Sequence, residues 1–164
     1  FWQTRTRLKE AGFHAYEISN FAKEGQHCQH NCGYWQYDDY LGIGAGAAGK
    51  WDVHHGGVLR YTNVRSPIAY IQSALENGQA ELSQEILTPI EAMGEAVWLG
   101  LRQHQGLDTK WFEQRFGQKI DDVYPILLKQ WIGQGLLKMA ENHVVLTEQG
   151  LSLADDISAS FLSI

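Results

Sequence analysis

The sequence predicts an α+β protein in which part of a βα barrel is followed by a mainly helical, winged-helix-like domain. Three observations predict it. The chain opens with a helical segment, one glycine and an apolar strand, the αβ half of a parallel βα repeat. Glycines at 42, 44 and 46 then alternate through an otherwise apolar stretch. Beyond residue 88 the apolar spacing turns helical, and helices, a strand pair and a last helix follow in order. The domains expected are residues 1–80 and 81–164.

Residues 2–11 are expected as a helix, with Leu8 and Ala11 inward and Gly12 as its stop. Phe13–Ile18 reads as a strand. Residues 19–40 are polar, aromatic and loop-like. The glycine run suits a backbone that approaches a ligand closely. It is not the dinucleotide fingerprint, whose spacing differs. Residues 50–61 are expected to include a hairpin around His55-Gly56-Gly57. Ser66-Pro67 starts a helix that Gly78 ends. A boundary is expected at 78–88.

Thr88-Pro89-Ile90-Glu91 is a capping box, and Ile90, Met93, Val97 and Leu101 mark a buried helical stripe. A helix capped by Asp108 runs to Gly117. Another is expected over 121–134 with Val123, Ile126, Leu127 and Trp131 on one face. Strands at 135–139 and 143–146 meet at Glu141-Asn142. Thr147 caps a last helix with Leu151, Ala154, Ile157 and Phe161 inward. Trp98, Trp111 and Trp131 fall at core spacing, which reads as packing.

Net charge is -6 and no basic patch emerges, which argues against a nucleic-acid surface. The expected recognition helix begins with Asp121 and Asp122 and carries only Lys129 as a cation. No apolar run approaches a membrane span, and no signal peptide precedes the fold, so a cytoplasmic protein is expected. The chain begins at Phe1, directly in helical pattern, which reads as a fragment.

The densest chemistry lies in His27-Cys28-Gln29-His30-Asn31-Cys32-Gly33-Tyr34-Trp35. Cys28-x-x-x-Cys32 copies two positions of a three-cysteine C-x-x-x-C-x-x-C cluster loop, but Trp35 stands at the third. A zinc site from His27, Cys28, His30 and Cys32 has suitable ligand types, yet such tight spacing strains a tetrahedron. His30 has two readings. Beside Tyr34 and Trp35 it offers an axial nitrogen next to flat apolar surface, which suits a porphyrin. On the residues alone it reads more readily as a loop histidine bonded to a backbone carbonyl. Glu17 on a mostly apolar strand needs a partner or a task. It either accepts hydrogen bonds from a ribose or amine, or pairs with Arg60 or another base.

Three stretches resemble one family. Ala11–Ala22 is similar to the aGy..YEISNfA stretch of the oxygen-independent coproporphyrinogen III oxidase-like, haem-chaperone family of the radical S-adenosylmethionine (SAM) superfamily. His30-Asn31-Cys32-Gly33-Tyr34-Trp35 resembles its HNxxYW motif, and Asp39–Ala47 its YxGxGxGA stretch. Leu99–Arg102, Gly106–Asp108, Gly135–Leu137 and Leu146–Gly150 resemble its C-terminal domain. The resemblance implies a radical SAM barrel remnant in residues 1–80. It also implies a [4Fe–4S] cluster and SAM bound by a three-cysteine loop about 150–200 residues upstream, within an ordinary barrel. This chain has no such loop, so no catalytic residue is assigned and it alone is not expected to cleave SAM.

By the same resemblance, Glu17, His30, Asn31, Tyr34, Trp35, Gly44 and Gly46 are cofactor-binding positions, and His30 is the iron ligand of haem. The motif marks the haem-chaperone branch, which binds haem and passes it to acceptor proteins at the membrane surface. The alternative function is oxidative decarboxylation of coproporphyrinogen III, which the HNxxYW stretch disfavours. Two positions depart from the pattern: Ala48 stands where the family has His, and Cys32 where it has Leu.

Overall fold

The computed structural model describes residues 1–53 and 57–162. The expected hairpin tip at His55-Gly56 lies outside the described residues. Contacts cluster into two compact units, residues 1–37 with 93–164, and residues 38–92.

In the larger unit, α1 (Trp2–Glu10) forms as expected, but no residue of it is buried and Ala11 is exposed. The expected strand at 13–18 shrinks to β1 (His14–Ala15), paired antiparallel with β2 (Phe21–Ala22). Every strand pairing among the described residues is antiparallel. The cause is local. Glu17 accepts hydrogen bonds from the Ser19 N–H at 2.8 Å and from Asn20 Nδ2 at 2.7 Å, which turns the chain back on itself. The freed edge of residues 16–18 bonds instead to 102–104: Ile18 N–H donates to Arg102 O, and His104 N–H to Tyr16 O.

The loop expected over 19–40 contains α2 (Gln29–Trp35), a correction to the sequence reading. The second half of the unit follows the expected order more closely. The helix α4 (Pro89–Gly100) buries Met93 and Val97, and Leu101 follows it into the core. A short β6 (Leu107–Asp108) leads into α5 (Thr109–Phe116). Asp108 Oδ1 accepts from the Lys110 and Trp111 N–H groups, and Gly117 closes the helix at φ 71°.

The single helix expected over 121–134 is two: α6 (Ile120–Val123) and α7 (Pro125–Gly133). Pro125 has no N–H to donate and pushes Tyr124 out of the helical region, to φ -123° and ψ 42°. The break resets the phase. Ile126, expected inward, is 79% exposed, while Tyr124 and Leu128 fill the core. Strands β7 (Leu137–Ala140) and β8 (His143–Leu146) form the expected hairpin, turned at Glu141 with φ 52°. The sheet order is β6-β8-β7. Thr147 Oγ1 accepts from Gly150 N–H, and a 3-10 turn precedes α8 (Ala154–Ala159). Ala154, Ile157 and Phe161 are buried as expected; Leu151 is half-buried.

In the smaller unit, β3 (Ala48–Asp52), β4 (Val58–Asn63) and β5 (Glu81–Leu87) form an antiparallel meander. The stretch read as a boundary thus carries a strand. Between β4 and β5 lies α3 (Pro67–Asn77), capped by Ser66 and ended by Gly78 at φ 72°. Gly49 is required where it stands, because a Cβ there would strike the Tyr61 ring.

Candidate functional site

The α2 segment has little intrinsic reason to be helical. Its N-cap, Cys28, makes no side-chain capping bond, and Gly33 sits in its interior. Tertiary contacts hold it. Gln103 Nε2 donates to the Trp35 carbonyl at 2.9 Å, and the Arg102 guanidinium lies 5.3 Å from the Trp35 ring centroid. Tyr37 follows the helix in the left-handed region at φ 65°. Its hydroxyl donates to Glu95 Oε2 at 2.7 Å, and its ring meets Trp111 edge-on.

His30 is exposed on this helix. One turn on, the Tyr34 ring meets it edge-on, with centroids 4.8 Å apart at 78°. His27 stacks on Tyr16 at 4.7 Å. Asn31, Tyr34 and Trp35 are half-buried, and Trp35 Nε1 is a buried donor with no acceptor among the described residues. Cys28 and Cys32 are free thiols. Partial burial, and then the neighbouring Cys28, push the Cys32 thiol above its ordinary value. No three His, Cys, Asp or Glu side chains among the described residues gather as a metal site, so the four-ligand zinc arrangement does not form. Two cysteines also fall short of the three thiolates that a [4Fe–4S] cluster open to SAM requires.

Glu17 is 1% exposed and fully engaged. Arg102 reaches Oε1 through Nε and Nη2, each at 2.8 Å, while Ser19 and Asn20 occupy Oε2. Its partner is Arg102, not Arg60, which instead pairs with Glu85 across β4 and β5. Arg102 also reaches Asp155 at 2.9 Å. Glu17 and Trp35 therefore meet on one guanidinium. Sequence reasoning missed Arg102 and Gln103. The available signal was a cation closing an apolar helix, which demands an anion from elsewhere.

Glu17 and Arg102 form part of the wall of a cavity of ≈ 670 Å³, with Arg5, Lys9, Phe13 and Lys138 among its other lining residues. His30, Asn31, Tyr34 and Trp35 do not line it.

In the smaller unit, Gly44 and Gly46 take φ 103° and 72°, which explains glycine at both. The Gly44 N–H donates to the Tyr70 hydroxyl at 3.2 Å, and the Gly46 N–H to Val64 O at 2.9 Å. Asn63 Nδ2 donates to the carbonyls of Gly42 and Gly44. The run is thus pinned from both sides of its backbone.

These elements define the class of protein to which the chain is similar. Residues 87–153 match the family model described as the HemN C-terminal domain. The solved structure of coproporphyrinogen III oxidase (HemN) from Escherichia coli, a radical SAM enzyme, shares the fold, with a TM-score of 0.73 at 20% identity over 99% of this chain and 40% of that one. Among curated relatives, the haem chaperone HemW of Bacillus subtilis is 36% identical over 96% of this chain and 40% of its own length. The HemW of Escherichia coli is 30% identical over 99% and 42%. Residues 87–153 thus carry the HemN C-terminal domain, and over nearly its whole length the chain is similar to HemW proteins. It spans about two-fifths of the length of these relatives (40% and 42%).

Proposed function

We propose that this chain is the C-terminal part of a radical SAM haem chaperone, which binds haem and passes it to acceptor proteins. The observation that carries the reading is His30, an exposed imidazole with a tyrosine ring edge against it. An exposed imidazole supplies a nitrogen that can reach haem iron without repacking a core. Trp35, half-buried on the same helix, keeps a buried N–H that meets no acceptor among the described residues. When bound, haem would supply the iron that His30 ligates. In this reading the cluster and SAM belong to segments of the whole protein other than these residues.

In this reading His30 is the iron ligand, and Asn31, Tyr34 and Trp35 shape its surroundings. Glu17 is a positioning residue, since its oxygens hold Arg102, which in turn lies against Trp35. Gly44 and Gly46 keep a backbone narrow enough to lie near the cofactor of the whole protein. Residues 1–80 belong to the barrel part and 81–164 to a winged-helix-like part. The family match over residues 87–153 and the order α5, α7, β7–β8 support a helical C-terminal part, whereas the contacts group residues 81–92 with 38–80. The protein acts in the cytoplasm, with peripheral membrane association during delivery. No helix among the described residues is long and apolar enough to cross a membrane.

Haem titration of the full-length protein tests the reading. His30→Ala is expected to weaken binding at least about tenfold, roughly 1.4 kcal/mol. An unchanged titration removes His30 from the site. Conversion of coproporphyrinogen III at enzymatic rates, with SAM and a reductant, would overturn the chaperone function.

A further inference from the structure

We propose that Cys28 and Cys32 are a reversible dithiol–disulfide site, oxidised by low-molecular-weight disulfides. The two residues bracket the first turn of α2, and the Cys32 N–H donates to the Cys28 carbonyl at 2.9 Å. Cys28 lies outside the helical region at ψ 105°, so the turn fixes the spacing of the two Cα atoms and not the direction of the Cys28 side chain. Helix geometry places such Cα atoms about 6 Å apart, inside the ~4.4–6.8 Å that disulfides span. The Cβ atoms, about 5–6 Å apart in a regular turn, must approach to roughly 4 Å for the bond to close.

Cys28 can make that movement cheaply. It is the N-cap, already extended at φ -68° and ψ 105°, and its side chain caps nothing. Closing the bridge therefore disturbs one backbone hydrogen bond rather than a helical core. Cys28 is exposed and Cys32 is partly so, so an oxidant meets Cys28 first. No cluster of three or more metal-ligating side chains competes for the sulfurs among the described residues.

The chemistry balances with a disulfide RSSR as oxidant. The Cys28 thiolate attacks one sulfur and expels the first RSH, leaving Cys28 in a mixed disulfide. The Cys32 thiolate then attacks the Cys28 sulfur and expels the second RSH. Two S–H bonds are lost and one S–S bond forms. The two protons and two electrons given up reduce RSSR to two thiols. One turn of separation makes the second step intramolecular, so it outruns release of the adduct. The site requires neither haem nor a cluster, and stands or falls apart from the chaperone reading.

Peptide mapping of the full-length protein tests it. Lys23 and Lys50 bracket the pair, so tryptic peptide 24–50 holds both cysteines and no other. After treatment with oxidised glutathione and alkylation, that peptide is expected to have lost two hydrogens and to take no label. Dithiothreitol is expected to restore two alkylatable thiols. Cys32→Ser is expected to stop at a stable glutathionyl adduct on Cys28. A wild-type peptide with two alkylated thiols, or with a persistent glutathionyl adduct, overturns the proposal.

Discussion

Glu17 and Arg102 illustrate how one charged pair can be decisive and its neighbour nearly irrelevant. Glu17 is buried at 1% exposure, and its carboxylate is filled by a guanidinium, a backbone amide and a side-chain amide. Removing its charge leaves the partly buried Arg102 guanidinium without its buried anion, with the exposed Asp155 still bonded to it. Breaking a buried pair by changing one partner typically costs about 3–5 kcal/mol. Glu17→Gln is therefore expected to lower stability by about 3 kcal/mol, read from urea unfolding at neutral pH. Asp155 bonds the same guanidinium at 2.9 Å, but its side chain is 88% exposed. Asp155→Asn is expected to cost less than about 1 kcal/mol, because water screens and replaces that contact. Equal losses in the two variants would mean that burial gives the Glu17–Arg102 pair no special weight.

At the scale of elements, local chemistry decided which helices could be read from sequence. Ser66-Pro67 and Gly78 bound α3 because capping and left-handed closure depend on neighbouring residues alone. The same holds for Asp108, whose carboxylate accepts from two amides of the first turn of α5. Asp108→Ala is expected to cost about 1 kcal/mol, with Asp108→Asn restoring most of it, both measured by thermal unfolding. A null effect from the alanine would show that α5 is held by packing of Phe112 and not by its cap. By contrast, α2 was illegible, since Gln103, Arg102 and Glu95 come from far along the chain to hold it. The strand β5 was missed for a similar reason: its residues are mostly exposed, and pairing with β4 makes it a strand. The break at Tyr124 was legible in Pro125, but the apolar stripe masked it. The candidate site divides likewise. The motif residues His30, Tyr34 and Trp35 could be named from sequence, while the arginine that links Trp35 to Glu17 needed the fold.

For the whole molecule, the core carries one group that ties global stability to alkaline pH. Tyr124 is 1% exposed, and its hydroxyl finds no hydrogen-bond partner among the described residues. Burial disfavours the phenolate and pushes its pKa from 10.0 up to about 12. In the unfolded chain the phenol regains its ordinary value, so there it gives up its proton first. The stabilising term is fully present below pH ~10 and is lost as pH climbs toward ~12. Other tyrosines and lysines also titrate in that window, but they do so equally in a Tyr124→Phe variant. The difference between the two proteins therefore isolates this hydroxyl. At neutral pH, removing an unpaired buried hydroxyl while keeping the ring against Phe161 is expected to leave stability unchanged or raise it by up to about 1 kcal/mol. Above pH ~10 the variant is expected to lose stability less steeply than the parent. Urea midpoints for both proteins across this range decide the matter. Parallel pH profiles, or a neutral-pH loss comparable to deleting a hydrogen bond, would mean that the hydroxyl has an acceptor in the folded protein.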